Sequence, residues 1–323
     1  MPTASALPAQ NVAADVGGAP PVAPGSPAAW LMALRPRSLL IAISPVIVAA
    51  ALVYQRTGHV DGTIVALMLA ASIVLQIVTN LENDVGYTLR GGERSRTRIG
   101  LPRATALGLL TTRQVHLAII AAIGVAVLLG LPLVALRGLP VLVMGVLSIL
   151  AALAYMGGPL PIAYTPFGEI VVFVFFGLFA VAGSDYTLTG GAIPLPTLLG
   201  ACAMGLLAAA ALVVNNHRDV AHDRGVGRRT LPVVLGARAS TALYVTSILA
   251  PFALAAAMGW LTRSWWLLLP VVALPVALRL VRDFRRCPPG LPFNGILFRT
   301  FKLELIFATL LAAGAILART TLA

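Results

Sequence analysis

The stretch LLGACAMGLLAAAALVVNNHRDVAHDRGVGRR, residues 198–229, carries the reading of the chain. From Leu198 to Val214 it holds no charged residue, and it then turns into Asn215, Asn216, His217, Arg218 and Asp219. An apolar run of this kind suits the roughly 20 residues with which a helix crosses a bilayer. The runs 115–131 and 141–155 are equally apolar and do not alternate with polar residues, so they read as helices rather than barrel strands. Working outward, the pattern predicts an all-α polytopic membrane protein of about nine transmembrane helices. The spans lie near 38–55, 63–85, 113–131, 139–156, 168–186, 197–216, 240–261, 265–282 and 297–318.

Composition points the same way. Hydrophobic residues make up 59% of the 323 and charged residues 11%, against about 25% charged in a soluble domain. Inside a bilayer the backbone must satisfy its own hydrogen bonds, which a bundle of helices does. Residues 1–27 are rich in Ala, Pro and Gly, with no basic residue and no apolar core. They read as a disordered cytoplasmic tail rather than a signal peptide, with the membrane domain over 28–323. Cys202 and Cys287 stand far apart and spell neither a disulfide framework nor a metal site.

The net charge of +12 follows from topology. With the N-terminus inside, nineteen of the 23 Lys and Arg residues fall on one side, and only Arg56, Arg137, Arg263 and Arg319 on the other. That bias sets the basic side as cytoplasmic, in the inner membrane of the cell. No basic patch is interleaved with aromatics, so a lipid bilayer and not nucleic acid is the expected surface partner.

Acidic residues are scarce, and Asp84, Glu93, Glu169, Asp219 and Asp223 fall at or near the cytoplasmic span ends. Ionisable groups at such depth are costly and usually functional. Asn216, Asp219 and Asp223 stand at i, i+3 and i+7, one helical face, and Asn80, Asn83 and Asp84 share another. The second span ends in Asn80–Asp84 and the sixth in Asn215–Asp219, each followed by an arginine-rich loop. A duplicated four-helix unit places both polar ends around one cavity. Two such faces hold hard cations through oxygen, and Mg²⁺ completes its shell with substrate phosphates. Candidate metal ligands are Asn83, Asp84, Glu93, Asp219 and Asp223, supported by Asn80, Asn215 and Asn216. Arg94, Arg98, Arg218, Arg228 and Arg229 flank them and suit a diphosphate leaving group. Tyr155, Tyr164, Phe173, Phe175, Phe176 and Phe179 supply π faces for an allylic cation. Arg35 and Arg37, at the entry of the first span, are candidates for an acceptor carboxylate.

These residues resemble the UbiA superfamily of intramembrane prenyltransferases, and most of all its branch that prenylates 1,4-dihydroxy-2-naphthoate in menaquinone biosynthesis. The likeness runs from Trp30 to the C-terminus. It is carried by WLMALRPRSL (30–39), YMGGPLP (155–161), the Phe/Gly run 173–177 and NNHRDVAHDRGVGRRTL (215–231). The resemblance implies a ring of nine helices around a cavity open to the cytoplasm and to lipid. It also implies Mg²⁺ on both acidic motifs holding a polyprenyl diphosphate, and an aromatic acceptor that attacks the allylic cation. The branch reads Asn-Asp-x-x-Asp-x-x-x-Gly-x-Asp in its first motif; this chain has Tyr87 at the second aspartate and Glu93 at the third. A phenol, with a pKa of about 10, is a poor Mg²⁺ ligand at neutral pH. Tyr87 shares the Asn80/Asp84 face and is expected to point into the cavity mouth. An active transferase with the naphthoate acceptor leads the function classes, ahead of a 4-hydroxybenzoate-like or homogentisate-like acceptor. A non-catalytic isoprenoid- or quinone-binding relative, which Tyr87 favours, and a secondary transporter are the other two classes.

Overall fold

The computed structural model describes residues 22–92, 99–100 and 102–321, all in helices and loops. A short helix α1 (Pro27–Leu34), N-capped by Ser26, turns through a 3₁₀ segment into α2 (Leu40–Thr57). The membrane-length elements that follow are α3 (Gly62–Leu89), α4 (Thr112–Arg137) and α5 (Leu139–Met156). Next comes a composite helix made of α6 (Gly168–Phe173), a π segment (Val174–Ala182) and α7 (Gly183–Thr189). Then follow α8 (Leu195–Arg218), the short α9 (Val220–Gly225), α10 (Leu231–Thr262), α11 (Leu274–Arg286) and α12 (Pro292–Thr320).

Eight stretches among the described residues are long and apolar enough to cross a membrane. The ninth expected span, 265–282, is present but broken. Pro270 and Pro275 lack the amide donors of a regular helix, and the stretch opens as a 3₁₀ segment (Trp265–Ala273) before α11. The chain is a multi-pass membrane protein. Residues 1–21 of the expected N-terminal tail lie outside the described residues.

Local chemistry sets the ends. Asp61 caps α3 by accepting from the amides of Thr63 and Ile64. Thr111 and Gln114 form a reciprocal capping box on α4. Within α10, Gly236 sits at φ 80°, ψ 177°, a break that a side chain would resist, so the continuous apolar helix begins just after it. α8 is the central helix, with 72% of its apolar stretch buried, against 17% for α4 and for α5. Leu117, Ile120 and Leu128 of α4 and Leu139 and Leu150 of α5 face outward, as helices do where lipid is the solvent. The π segment meets α8 backbone to backbone: a Cβ on Gly177 would lie 2.5 Å from the Ala201 carbonyl, and one on Gly205 2.7 Å from the Phe173 carbonyl.

Candidate functional site

Two joined cavities run into the bundle from its arginine-rich end. The larger, about 820 Å³, is mostly apolar and reaches Met68, Leu133 and Thr187 near the opposite end. Phe175, Phe176 and Phe179 of the π segment line it. The smaller, about 90 Å³, is polar and sits at the mouth; the two share Arg35, Asn83, Tyr155, Leu212, Asn215 and Arg218. Asn83 and Tyr87 of α3 face Asn215, Asn216 and Asp219 of the α8 end across the small cavity. The two polar helix ends therefore meet at one site, as their repeated pattern predicts.

Asn80 ties α3 to the turn after α1, donating to the Leu34 carbonyl (2.8 Å) and Ser38 Oγ (2.9 Å). That turn presents Arg35 to both cavities from a left-handed backbone conformation, φ 51°, uncommon for a residue with a side chain. Arg37 lines the large cavity with its guanidinium 4.5 Å over the Phe298 ring. Asp84 lies elsewhere. It is fully buried, lines neither cavity, and accepts from the Ala104 amide (3.0 Å), the Thr105 amide (2.9 Å) and Thr105 Oγ1 (2.6 Å). Glu93, Arg94 and Arg98 fall outside the described residues.

On the other side α8 ends at Arg218, and Asp219 forms the junction to α9. Asp219 lines the polar cavity and is gripped by both Nε (3.0 Å) and Nη2 (2.7 Å) of Arg218. Asp223 is buried behind it, accepting from Arg228 Nη1 (2.7 Å) and Thr230 Oγ1 (3.3 Å). Burial pushes the Asp223 carboxyl up to about 6 despite the opposing pull of Arg228. Arg228 also clasps the Ala163 carbonyl through Nε and Nη2, fastening the 157–167 loop to the motif. Arg229 is exposed and lines neither cavity. Tyr155 lines both cavities, whereas Tyr164 packs beside the guanidiniums of Arg90 (5.6 Å) and Arg228 (5.5 Å), off their walls.

Three participants went unselected in the sequence. Arg103 lines the polar cavity from the loop that Asp84 holds. His222 reaches Tyr87. Glu169, noted only as acidic, accepts from Asn216 Nδ2 at 2.8 Å and so orients that amide. All three act across tertiary contacts that no local spacing encodes.

Among the described residues no three His, Cys, Asp or Glu side chains converge. A divalent ion here would rely on few carboxylates and on substrate phosphates, the usual habit of Mg²⁺. The α8 end fits that habit, with Asp219, Asn215 and Asn216 all lining the small polar cavity. The α3 end, with Asp84 turned away and a phenol at 87, presents no carboxylate to either cavity among the described residues.

An apolar chamber with guanidinium and carboxylate groups only at its mouth defines a class: multi-pass membrane proteins that admit an amphiphile with an anionic head and an apolar tail. The chain belongs to the UbiA prenyltransferase family, whose model matches residues 42–293, and is a prenyltransferase. It is 34% identical over 298 residues to the 1,4-dihydroxy-2-naphthoate octaprenyltransferase of Escherichia coli, covering 90% of this chain and 96% of that one. It is 33% identical to the enzyme of the same name from Mycobacterium tuberculosis, covering 90% and 97%. The fold matches a UbiA homolog from Archaeoglobus fulgidus bound to GPP and Mg²⁺, with a TM-score of 0.64 at 17% identity over 90% of this chain and 99% of that one. It also matches the apo structure of a UbiA homolog from Aeropyrum pernix, with a TM-score of 0.64 at 20% identity over 86% and 97%.

Proposed function

We propose that this prenyltransferase moves a polyprenyl group from its diphosphate to 1,4-dihydroxy-2-naphthoate, with Mg²⁺, at the cytoplasmic face of the inner membrane. The observation that carries the reading is the union of the two cavities: an aromatic-lined chamber of about 820 Å³ opening into a polar mouth that holds Arg35, Arg103, Arg218, Arg228 and Asp219. The isoprenoid tail lies along Phe175, Phe176 and Phe179, and the diphosphate sits at the mouth. Mg²⁺ bound through Asp219 supplies charge neutralisation of the departing diphosphate. Arg218 and Arg228, already fixed by Asp219 and Asp223, donate to its oxygens as charge builds on them.

The C1–O bond breaks with its electron pair leaving on the diphosphate. The allylic cation is sheltered by the π faces and the water-poor chamber. Tyr155, on the wall common to both cavities, stands where head and tail meet. Arg35 holds the acceptor's carboxylate from the same wall. The ring carbon bearing that carboxylate attacks C1, and loss of CO₂ restores the aromatic ring. The names of the relatives support the acceptor, and the Archaeoglobus homolog supports the cation and the diphosphate.

A product-mass screen tests the reading. Membranes carrying the protein are given Mg²⁺, one prenyl diphosphate and a small panel of aromatic acids. The expected product is the prenylated dihydroxynaphthalene lacking the carboxylate. Product from 4-hydroxybenzoate or homogentisate alone overturns the acceptor, and no product from any acid overturns transfer to aromatic acids.

A further inference from the structure

Tyr87, near the end of α3, lines the polar cavity together with the α8 end. Its hydroxyl lies 2.9 Å from His222 Nε2 of α9 and 3.5 Å from Arg228 Nη1, which donates to it. The ring is fully buried, with the guanidinium of Arg103 5.0 Å and that of Arg228 5.5 Å from its centre. The Gly92 backbone lies so close over the ring that a side chain there has no room. One phenol thus joins the end of α3 to α9 and to the loop after it.

As the described residues build it, this seat is hostile to a divalent cation. The phenol is neutral at ordinary pH, and two guanidinium charges flank it within a distance at which like charges repel appreciably. The nearest acidic group on its own helix, Asp84, lines neither cavity and has both oxygens committed to the Ala104–Thr105 backbone, whereas Asp219, though paired with Arg218, lines the polar cavity. The same arrangement is favourable to an anion. Asp84 holds the loop that brings Arg103 to the polar cavity, Tyr87 packs against both Arg103 and Arg228, and both arginines line that cavity.

We propose that this chain binds its prenyl diphosphate with a single divalent cation, carried by the α8 end through Asp219, and that Arg103 and Arg228, positioned by Tyr87, neutralise the diphosphate on the α3 side. Tyr87 is a positioning residue: its hydroxyl ties the end of α3 to α9 and to Arg228 by direct hydrogen bonds. The inference rests on the proposed function, since it takes the ligand to be a prenyl diphosphate.

The test counts ions rather than turnover. Full-length protein in detergent is saturated with the non-hydrolysable thiolo analogue of geranyl diphosphate and titrated with Mn²⁺, whose bound fraction is read by electron paramagnetic resonance. One Mn²⁺ per bound analogue is expected; two, or none with the analogue bound, overturns the inference. Arg103→Gln should weaken analogue binding tenfold or more at an unchanged count of one, and unchanged binding by a variant that melts like wild type overturns the role of Arg103. Glu93→Gln should leave one ion, and loss of the ion overturns the assignment to the α8 end. If wild-type protein binds no analogue at any Mn²⁺ concentration, the proposed function itself fails and the inference falls with it. The wild-type count decides the matter even where a variant does not fold.

Discussion

Asp84 and Asp219 occupy matching places at the ends of α3 and α8, yet their carboxylates do different work. Asp84 accepts three hydrogen bonds, two of them from backbone amides of the loop that carries Arg103. Asp219 faces the cavity beside Arg218. Removing Asp84 therefore leaves buried donors unpaired, at about 1–3 kcal/mol for each donor so stranded. Asp84→Ala is expected to lower the melting temperature in detergent and to weaken diphosphate binding through the displaced Arg103. An Asp84→Ala protein that melts normally but has lost an ion would reassign Asp84 as a ligand. Asp219→Ala is expected to insert but to melt lower, since it leaves the buried Arg218 guanidinium without its carboxylate, and to lose Mg²⁺-dependent turnover by about 100-fold or more, the scale of removing an aligned electrostatic contact in a transition state. A near-wild-type rate in that variant removes the cation from the α8 end. Helical spacing was enough to place Tyr87 at the cavity mouth, because it stands seven residues after Asn80 and shares its cavity-lining face. The direction of the Asp84 side chain was not legible, because its partners lie twenty residues downstream in a loop whose path no periodicity describes.

At the scale of elements, apolar run length located the spans, and proline and glycine decided where they deviate. Gly236 separates a short amphipathic lead from the continuous part of α10, and Pro270 with Pro275 leaves the 265–282 stretch broken. The π segment was hidden from the sequence. Its Phe/Gly run reads as a source of π faces, and no spacing in it shows that Gly177 and Gly205 bring two backbones into contact. That contact fixes the turn of the helix and so the aim of Phe175, Phe176 and Phe179 into the chamber. A methyl on Gly177 meets a carbonyl and an α-carbon, not a flexible side chain, so the helices must separate. Gly177→Ala is expected to destabilise by about 1–3 kcal/mol, the usual cost of overpacking, and to lower turnover by tilting the aromatic wall. Gly124→Ala is the matched control. Its Cβ has open space in α4, and better helix propensity should stabilise by up to about 1 kcal/mol. Equal melting of the two variants would show that the glycine contact does not set the packing.

Across the whole molecule, the contacts sort the basic residues by end. Arg218 reaches Asn294, Tyr87 reaches His222, and Arg90 bonds to the Met156 and Gly158 carbonyls, so the loops after α3, α5 and α8 and the start of α12 share one end. At the other end, Arg56 pairs with the buried Asp185, and Arg137 donates to the Thr187 and Leu188 carbonyls. Arginines there are few, and these two are bound into helix ends. The first end holds Arg35, Arg90, Arg103, Arg218 and Arg228 and the mouth of the polar cavity. Loops rich in Lys and Arg stay on the cytoplasmic side, which is also where a water-soluble acceptor must enter if transfer occurs at that mouth. With Cys202 and Cys287 replaced by Ser, a single cysteine at the exposed position of Arg229 should be labelled by an impermeant maleimide only after the cytoplasmic face is opened. One at exposed His59, in the turn between α2 and α3, should be labelled in intact cells. Labelling of Arg229→Cys from outside would invert the molecule and place the cavity mouth away from the cytoplasm. The same reagent at both sites in sealed, right-side-out cells settles the orientation independently of any activity, because it reads the side on which each loop lies and nothing about what the cavity binds.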